Sequence, residues 1–163
     1  MTTNVRQPSI RRATAGDLPR IEDLLVASEL PLAGVAESIG DFLVAEQHDG
    51  AIVGVVGLEA CCTEYALLRS TAVSPAWRGR GLGRRLVERA IADAEARGFH
   101  ALWLLTTTAE RYFPSFGFVA ARRDDAPEEV RASVEFTSAC PASAAVMTLA
   151  LPRPDARSSI RIP

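Results

Sequence analysis

Lysine is absent: every one of the 18 cationic side chains in the 163 residues is arginine. That absence excludes a Walker A phosphate loop, a Schiff-base lysine and other lysine-dependent chemistry. Cysteine is scarce, with Cys61, Cys62 and Cys140 an odd number and two of them adjacent. A disulfide framework of the secreted type does not fit this pattern, so reduced thiols are expected. Zinc-ligand spacing is missing as well, because no residues separate Cys61 from Cys62, and His48 and His100 stand alone. Long apolar runs are lacking too: the longest, Ala51 to Leu58, falls far short of the roughly 20 residues that span a bilayer. Met1-Thr2-Thr3-Asn4 shows no basic-then-apolar leader. The expectation is a cytoplasmic protein without a membrane partner. A formal charge of −2 lacks the clustered cationic excess that counterion-release binding needs, so no nucleic-acid partner is expected and any anion bound is small.

What is present suits one globular domain. With 48% apolar and 23% charged residues the chain has material for a core, and its length sits within the roughly 100–200 residues of a typical domain. The expected organisation is an N-terminal arm over residues 1–8, a domain over 9–151 and a flexible tail over 152–163.

Residues 9–13 read as a first strand, and Thr14 and Asp17 as the start of a helix. Leu18, Ile21, Leu24 and Leu25 recur at helical spacing, with Pro31 as the expected stop. Phe42 to His48 and Ala51 to Ala60 flank Asp49-Gly50 and predict a hairpin with a type I′ turn. A strand from Glu64 to Val73 follows. Leu82, Leu86, Val87, Ala90, Ile91 and Ala94 place one apolar face on a helix over 81–97, closed by Gly98. Residues 101–107 form a largely apolar strand, so 64–107 is a crossover that makes its two strands parallel neighbours. A short helix over 109–115, a strand from Phe116-Gly117-Phe118 and a last strand over 145–151 complete the reading. The fold class is α/β, with a mixed, mainly antiparallel sheet and helices on both faces.

Between strand and helix lies Ser74-Pro75-Ala76-Trp77-Arg78-Gly79-Arg80-Gly81-Leu82-Gly83-Arg84. Free N–H groups at a helix start, without side chains to hold a ligand away, make an anion cradle. The dinucleotide fingerprint G-x-G-x-x-G fails because Arg84 stands at its third glycine. What remains, Arg78-x-x-Gly81-x-Gly83, resembles the pyrophosphate loop of the GCN5-related N-acetyltransferases (GNAT). Leu68 to Gly83 is similar to that family's fourth strand and loop, and Phe116-Gly117-Phe118 to its late Gly-Phe signature. The likeness covers residues 9–151. Leu105 to Phe113 is similar to the acetyltransferase domain of N-acetylglutamate synthases. Together with Leu67-Leu68-Arg69-Ser70 and Cys140-Pro141-Ala142-Ser143-Ala144, it most closely resembles the arsenic-resistance N-acetyltransferases (ArsN type).

The resemblance implies acetyl-CoA as co-substrate, no metal, and a central parallel pair splayed to admit that co-substrate. It implies that the backbone of Ala72, Val73 and Ser74 pairs with the pantetheine arm, with the Val73 N–H aimed at the thioester oxygen. The pyrophosphate falls to Arg78, Gly79, Gly81, Leu82, Gly83 and Arg84, with Arg80 and Arg85 within reach of an outer phosphate. The alternative for these arginines is a solvated helix start.

An ammonium acceptor needs a proton acceptor, for which Glu59 is the first candidate and Glu64 the second. The family's tyrosine acid falls one residue from Tyr112, at Phe113, so the register departs and Tyr112 and water stay open as the proton source. Arg69 is the expected clamp for an acceptor carboxylate or arsonate-like group, its alternative being a salt bridge to Glu64 or Glu59. Thr106 and Thr107 offer hydroxyl donors to an amino-acid-like acceptor. Cys140 as an acetyl-accepting nucleophile lacks an activating histidine. The expected activity is N-acetylation of a small, amino-acid-like amine. A protein N-terminal acetyltransferase and a non-catalytic acetyl-CoA sensor are the alternatives, and a homodimer stays open.

Overall fold

The computed structural model describes residues 6–153. Along the chain it forms β1 (Ser9–Arg12), α1 (Leu18–Ala27), β2 (Phe42–Glu46), β3 (Ile52–Ala60), β4 (Tyr65–Val73), α2 (Leu82–Ala96), β5 (Ala101–Thr106), β6 (Val119–Ala121), α3 (Glu128–Arg131) and β7 (Ala145–Ala150). The seven strands follow the order β1-β2-β3-β4-β5-β7-β6. β1, β2 and β3 pair antiparallel, as do β5, β7 and β6. The crossover through α2 makes β4 and β5 parallel, in a ladder of Tyr65, Ala66 and Leu67 against Ala101, Leu102 and Trp103. Two compact units result, one from residues up to Glu59 plus Arg69–Ala90, the other from Ala60–Leu68 plus residues from Ile91 onward.

In the first unit the alternation along β3 decides which helix covers which face. Val55, with Phe42 and Val44 of β2, packs against Ile21, Leu24 and Leu25 of α1. Gly54 points the other way, where a Cβ would stand 2.8 Å from the Leu86 side chain of α2. The glycine is there for close helix approach. Gly57 lies opposite Phe42 in the ladder, and the Phe42 ring occupies the space a Cβ would take, at 2.5 Å. In the second unit α3 and the following turn lay Val130 and Phe136 over Leu67, Trp103 and Val146. Among the described residues no helix is long and apolar enough to cross a membrane.

Several local expectations are corrected. α1 ends at Ala27, four residues before Pro31, where Glu29 takes a left-handed φ of 58° and the Leu30 N–H reaches back to the Leu25 carbonyl at 2.9 Å. The hairpin turn is not type I′, which requires two positive φ angles. Only Gly50 supplies one, at +90°, in a longer loop where Gly50 N–H bonds to the Gln47 carbonyl at 2.9 Å. Asp49 contributes its side chain instead, accepting the Ala51 N–H at 3.0 Å. The helix expected over 109–115 reduces to a 3-10 turn at Phe113–Phe116, since Pro114 brings no N–H to continue a helix. Gly117, at φ 107°, caps that turn, so the strand starts at Val119 rather than Phe116. α2 ends as expected on Gly98, whose φ is 82°.

Residues 1–5 of the expected arm and 154–163 of the expected tail lie outside the described residues. The inner ends of both segments are bonded. Arg85 donates to the Gln7 side chain and the Pro8 carbonyl, and the Arg153 N–H donates to Glu95 Oε2 at 2.7 Å.

The helix start at Thr14 forms as expected, with Thr14 at the N-cap in a capping box with Asp17. The buried Asp17 carboxylate accepts the Thr14 N–H at 2.8 Å and two N–H groups of Arg11 at 2.8 and 3.0 Å, and Arg20 adds a third cationic donor at 2.9 Å. Arg11 also holds Glu46, so β1, β2 and the turn before α1 share one ion network. The Arg11 hydrogen bonds hold the Asp17 carboxyl well below the usual carboxylate range, with the Thr14 N–H helping and burial opposing. Because the folded-state value is depressed, this stabilisation is complete above the unfolded value of about 3.9 and is lost as pH falls through the lower folded value. Asp17→Asn is therefore expected to lower Tm at neutral pH and to flatten its fall from pH 5 to pH 2. Parallel Tm–pH curves for the two proteins would refute this.

Candidate active site

The glycine loop of the first unit begins where β4 ends. The Ser74 N–H bonds to the Val53 carbonyl at 2.8 Å, a single 3-10 turn carries Pro75–Trp77, and Trp77 is buried beneath it. Gly79 and Gly81 then take φ of 76° and 80°, the left-handed region that side chains disfavour. A Cβ at either glycine meets no atom within 4 Å, so the space above both is open. The helical bonding of α2 opens with Arg85 N–H to the Gly81 carbonyl at 3.1 Å. By helix geometry the Leu82 and Gly83 amides that precede it have no carbonyl one turn back, and they add their dipoles to the positive helix end. Open space, exposed glycines and such donors fit the diphosphate of a coenzyme.

The loop arginines divide their work. Arg78 Nε donates to the Val73 carbonyl at 3.1 Å, and the Arg80 guanidinium stacks over the Trp77 ring at 5.1 Å. Arg84 lies 4.0 Å from Glu88 one turn along α2. Arg85 donates to the Gln7 side chain and the Pro8 carbonyl.

The same unit brings Glu59 of β3 and Arg69 of β4 together. Arg69 NH1 donates to Glu59 Oε1 at 2.8 Å, NH2 to the Ala33 carbonyl at 2.6 Å, and Nε to Ser70 Oγ at 3.1 Å. The Arg69 side chain is 0% exposed and that of Glu59 15%, so the carboxylate is the part of the pair that solvent reaches. Ser70, inside β4, has a left-handed φ of 56°, a local irregularity in the strand. Of the two carboxylates weighed for Arg69, Glu59 is the partner. Glu64 is exposed and lies 3.8 Å from His100.

The remaining candidates belong to the second unit. Thr106 Oγ1 accepts the Ala109 N–H at 2.9 Å and so shapes the loop after β5, while Thr107 is exposed. Tyr112 is 37% exposed and sets its ring edge-on to Phe113 and Phe116 at 5.4 and 5.2 Å. Phe113, at the family's tyrosine position, is buried and packs against Phe118. Cys140 lies 3.7 Å from Glu135, whose carboxylate is buried. Ala33, Ser70 and Glu135 are partners that sequence reading missed. Nothing local marks Ala33, whose carbonyl meets Arg69 across 36 positions.

Comparison with known proteins gives the same direction. Residues 38–120 match the model of the acetyltransferase (GNAT) domain. An amino-acid acetyltransferase of Mycobacterium tuberculosis is 31% identical over 120 residues, covering 69% of this chain and 68% of that protein. One from Neisseria meningitidis is 34% identical over 134 residues, covering 76% of this chain and 30% of that enzyme. Among solved structures, N-acetylglutamate synthase from Neisseria gonorrhoeae, complexed with coenzyme A and N-acetyl-glutamate, superposes with a TM-score of 0.76 at 28% identity, covering 89% of this chain and 35% of that one. The chain thus spans about a third of the Neisseria enzymes.

Proposed function

Since this chain belongs to the GNAT acetyltransferase family, and is by that membership an acetyl-CoA-dependent N-acetyltransferase, we propose that its acceptor is the α-amino group of a free amino acid or close analogue. The observation that carries this reading is the Arg69–Glu59 pair at 2.8 Å. Of this pair only the Glu59 carboxylate meets solvent, so it offers an acceptor ammonium a fixed anion, while the enclosed Arg69 holds that anion in place. The relatives named amino-acid acetyltransferases support the same acceptor class. A cytoplasmic setting suits Cys61, Cys62 and Cys140, none of which is in a disulfide.

Each residue then has a task. The loop amides at Gly79, Gly81, Leu82 and Gly83 hold the coenzyme diphosphate, with Arg80 and Arg84 adding charge. The arm of the coenzyme pairs along Ala72, Val73 and Ser74, and the Val73 N–H faces the thioester oxygen. Glu59 takes a proton from the acceptor ammonium, which frees the lone pair that attacks the acetyl carbon. The carbon–sulfur bond breaks, and the departing thiolate takes its proton from water, the source left open beside Tyr112. Arg69 holds the Glu59 carboxylate in place, the salt bridge standing where a clamp for the acceptor carboxylate was expected. A finer reading follows from the arsenic-resistance resemblance of the segments at Leu67 to Ser70 and Cys140 to Ala144: the acceptor is an arsenic-bearing amino-acid analogue.

Thiol release from acetyl-CoA decides between these readings when measured over free amino acids, an arsenical amino acid and a peptide with a free N-terminus. Turnover on the free amino acids or their analogue is expected, and Glu59→Gln should lower kcat/KM about a hundredfold with the CoA affinity unchanged. Preference for the peptide would replace the acceptor assignment. CoA binding without turnover on any amine would make the protein a sensor.

A further inference from the structure

From the bonding at the end of β4 we infer that Arg78 is a positioning residue for the Val73–Ser74 peptide, and not a ligand of the coenzyme diphosphate. This inference rests on the acetyltransferase reading above and deepens it. The peptide joining Val73 to Ser74 is held at both ends. Its N–H, that of Ser74, donates to the Val53 carbonyl of β3 at 2.8 Å. Its carbonyl, that of Val73, accepts from Arg78 Nε at 3.1 Å. The plane of that peptide is therefore fixed between a neighbouring strand and a guanidinium reaching back five residues.

The backbone of Arg78 points the same way. Its N–H is spent on the Pro75 carbonyl at 3.3 Å, closing the turn that also takes Trp77 N–H to the Ser74 carbonyl at 2.9 Å. An amide so engaged is not an anion donor, unlike those one turn later at the start of α2. The Arg78 amide is thus spent in the turn and its Nε on the strand end, while the open left-handed glycines lie beyond it. Arg80 is placed differently, with its guanidinium laid over the Trp77 ring. The charge that the loop offers to phosphate comes from that residue and from the helix start.

Locking the Val73–Ser74 plane fixes the ψ angle of Val73, and with it the direction of the strand end that carries the Val73 N–H. A donor aimed before the reaction stabilises developing negative charge without reorganising at the moment of attack. Loss of the strut lets the peptide rock, and small misplacements of such donors cost rate steeply.

Three measurements on Arg78→Ala and Arg78→Gln test this. Glutamine keeps an uncharged N–H donor able to reach the Val73 carbonyl, so it separates a strut from a phosphate charge. Acetyl-pantetheine, which lacks the diphosphate, separates the arm from the phosphate end. The expected result for Arg78→Ala is a fall in kcat of about tenfold or more, by the same factor with acetyl-CoA and acetyl-pantetheine, while the Kd for CoA stays within about twofold. Arg78→Gln should recover most of that loss. In the ligand-free protein, amide exchange at Ser74 should speed about tenfold or more in the alanine variant and stay near wild type in the glutamine variant. A tenfold rise in the CoA Kd in both variants, with acetyl-pantetheine turnover unchanged, would overturn the inference in favour of a phosphate ligand. Unchanged Ser74 exchange in Arg78→Ala would overturn it independently of any activity. If the wild-type protein acetylates no amine, the functional reading fails instead, and the exchange measurement still reports on the strut.

Discussion

Gly81→Val is expected to weaken CoA binding by about a hundredfold or more while leaving the protein folded. Gly81 has a φ of 80°, and a Cβ there meets no protein atom within 4 Å. The folding penalty is then the backbone term alone, about 1–2 kcal/mol for a side chain in the left-handed region. Binding suffers from a different cause. The new side chain stands in the open space through which a diphosphate would approach the amides at the start of α2. Charge-assisted N–H bonds contribute about 1.5–3 kcal/mol each, so losing two of them accounts for about 3 kcal/mol or more, roughly two orders of magnitude in Kd. Gly98→Val is the matched control. That glycine has nearly the same φ, 82°, and equally open surroundings, but it closes α2 at the opposite end. Both variants should lose similar stability, and only Gly81→Val should lose affinity in a calorimetric titration with CoA. A Kd within about threefold of wild type for Gly81→Val would remove the loop from coenzyme binding.

Arg69→Ala is expected to cost about 3 kcal/mol of stability, roughly 6–12 °C in Tm for a chain of this size. The guanidinium is fully enclosed and serves Glu59, the Ala33 carbonyl and the Ser70 hydroxyl together. Removing it takes a cationic partner from a carboxylate that is only 15% exposed, and the residual exposure keeps the cost at the lower end of the range for buried pairs. Pairing Arg69→Met with Glu59→Leu separates stability from function. An apolar pair of similar volume relieves the burial of charge, so much of the lost Tm should return. Acetyl transfer should not return, because neither the carboxylate nor the guanidinium is restored. A double variant that regained turnover with its Tm would show the pair to be structural alone. An unchanged Tm in Arg69→Ala would contradict the burial argument itself.

Some of the molecule was legible because its signals are local. The apolar face of α2, the glycine that closes it and the strand on either side are each written in neighbouring residues, and the parallel pairing of β4 and β5 follows from the crossover between them. The loop was legible for the same reason, since absent side chains at Gly79 and Gly81 state a backbone requirement directly. Other features had no local mark. Glu29 and Ser70 adopt left-handed φ without being glycine. Glu29 does so because the helix end satisfies its carbonyls that way. Asp49-Gly50 read as a tight turn because the pair has that preference, but the side chain of Asp49 stabilises a longer one.

The anion cradle of this chain was determined by the sequence alone, through a run of residues whose backbone demands are met within a few positions of themselves, and its acetyltransferase reading came from the likeness of that run to the GNAT loop. Which arginine does what was decided only by tertiary structure. Arg69, Arg78, Arg80 and Arg85 are chemically identical guanidiniums, and their roles differ by which acceptor or aromatic ring the fold brings beside each. Sequence spacing does not encode such distances when the partner is a carbonyl thirty-six residues away. A side chain's chemistry is written in the chain, whereas its partner is set by how the strands are laid beside one another.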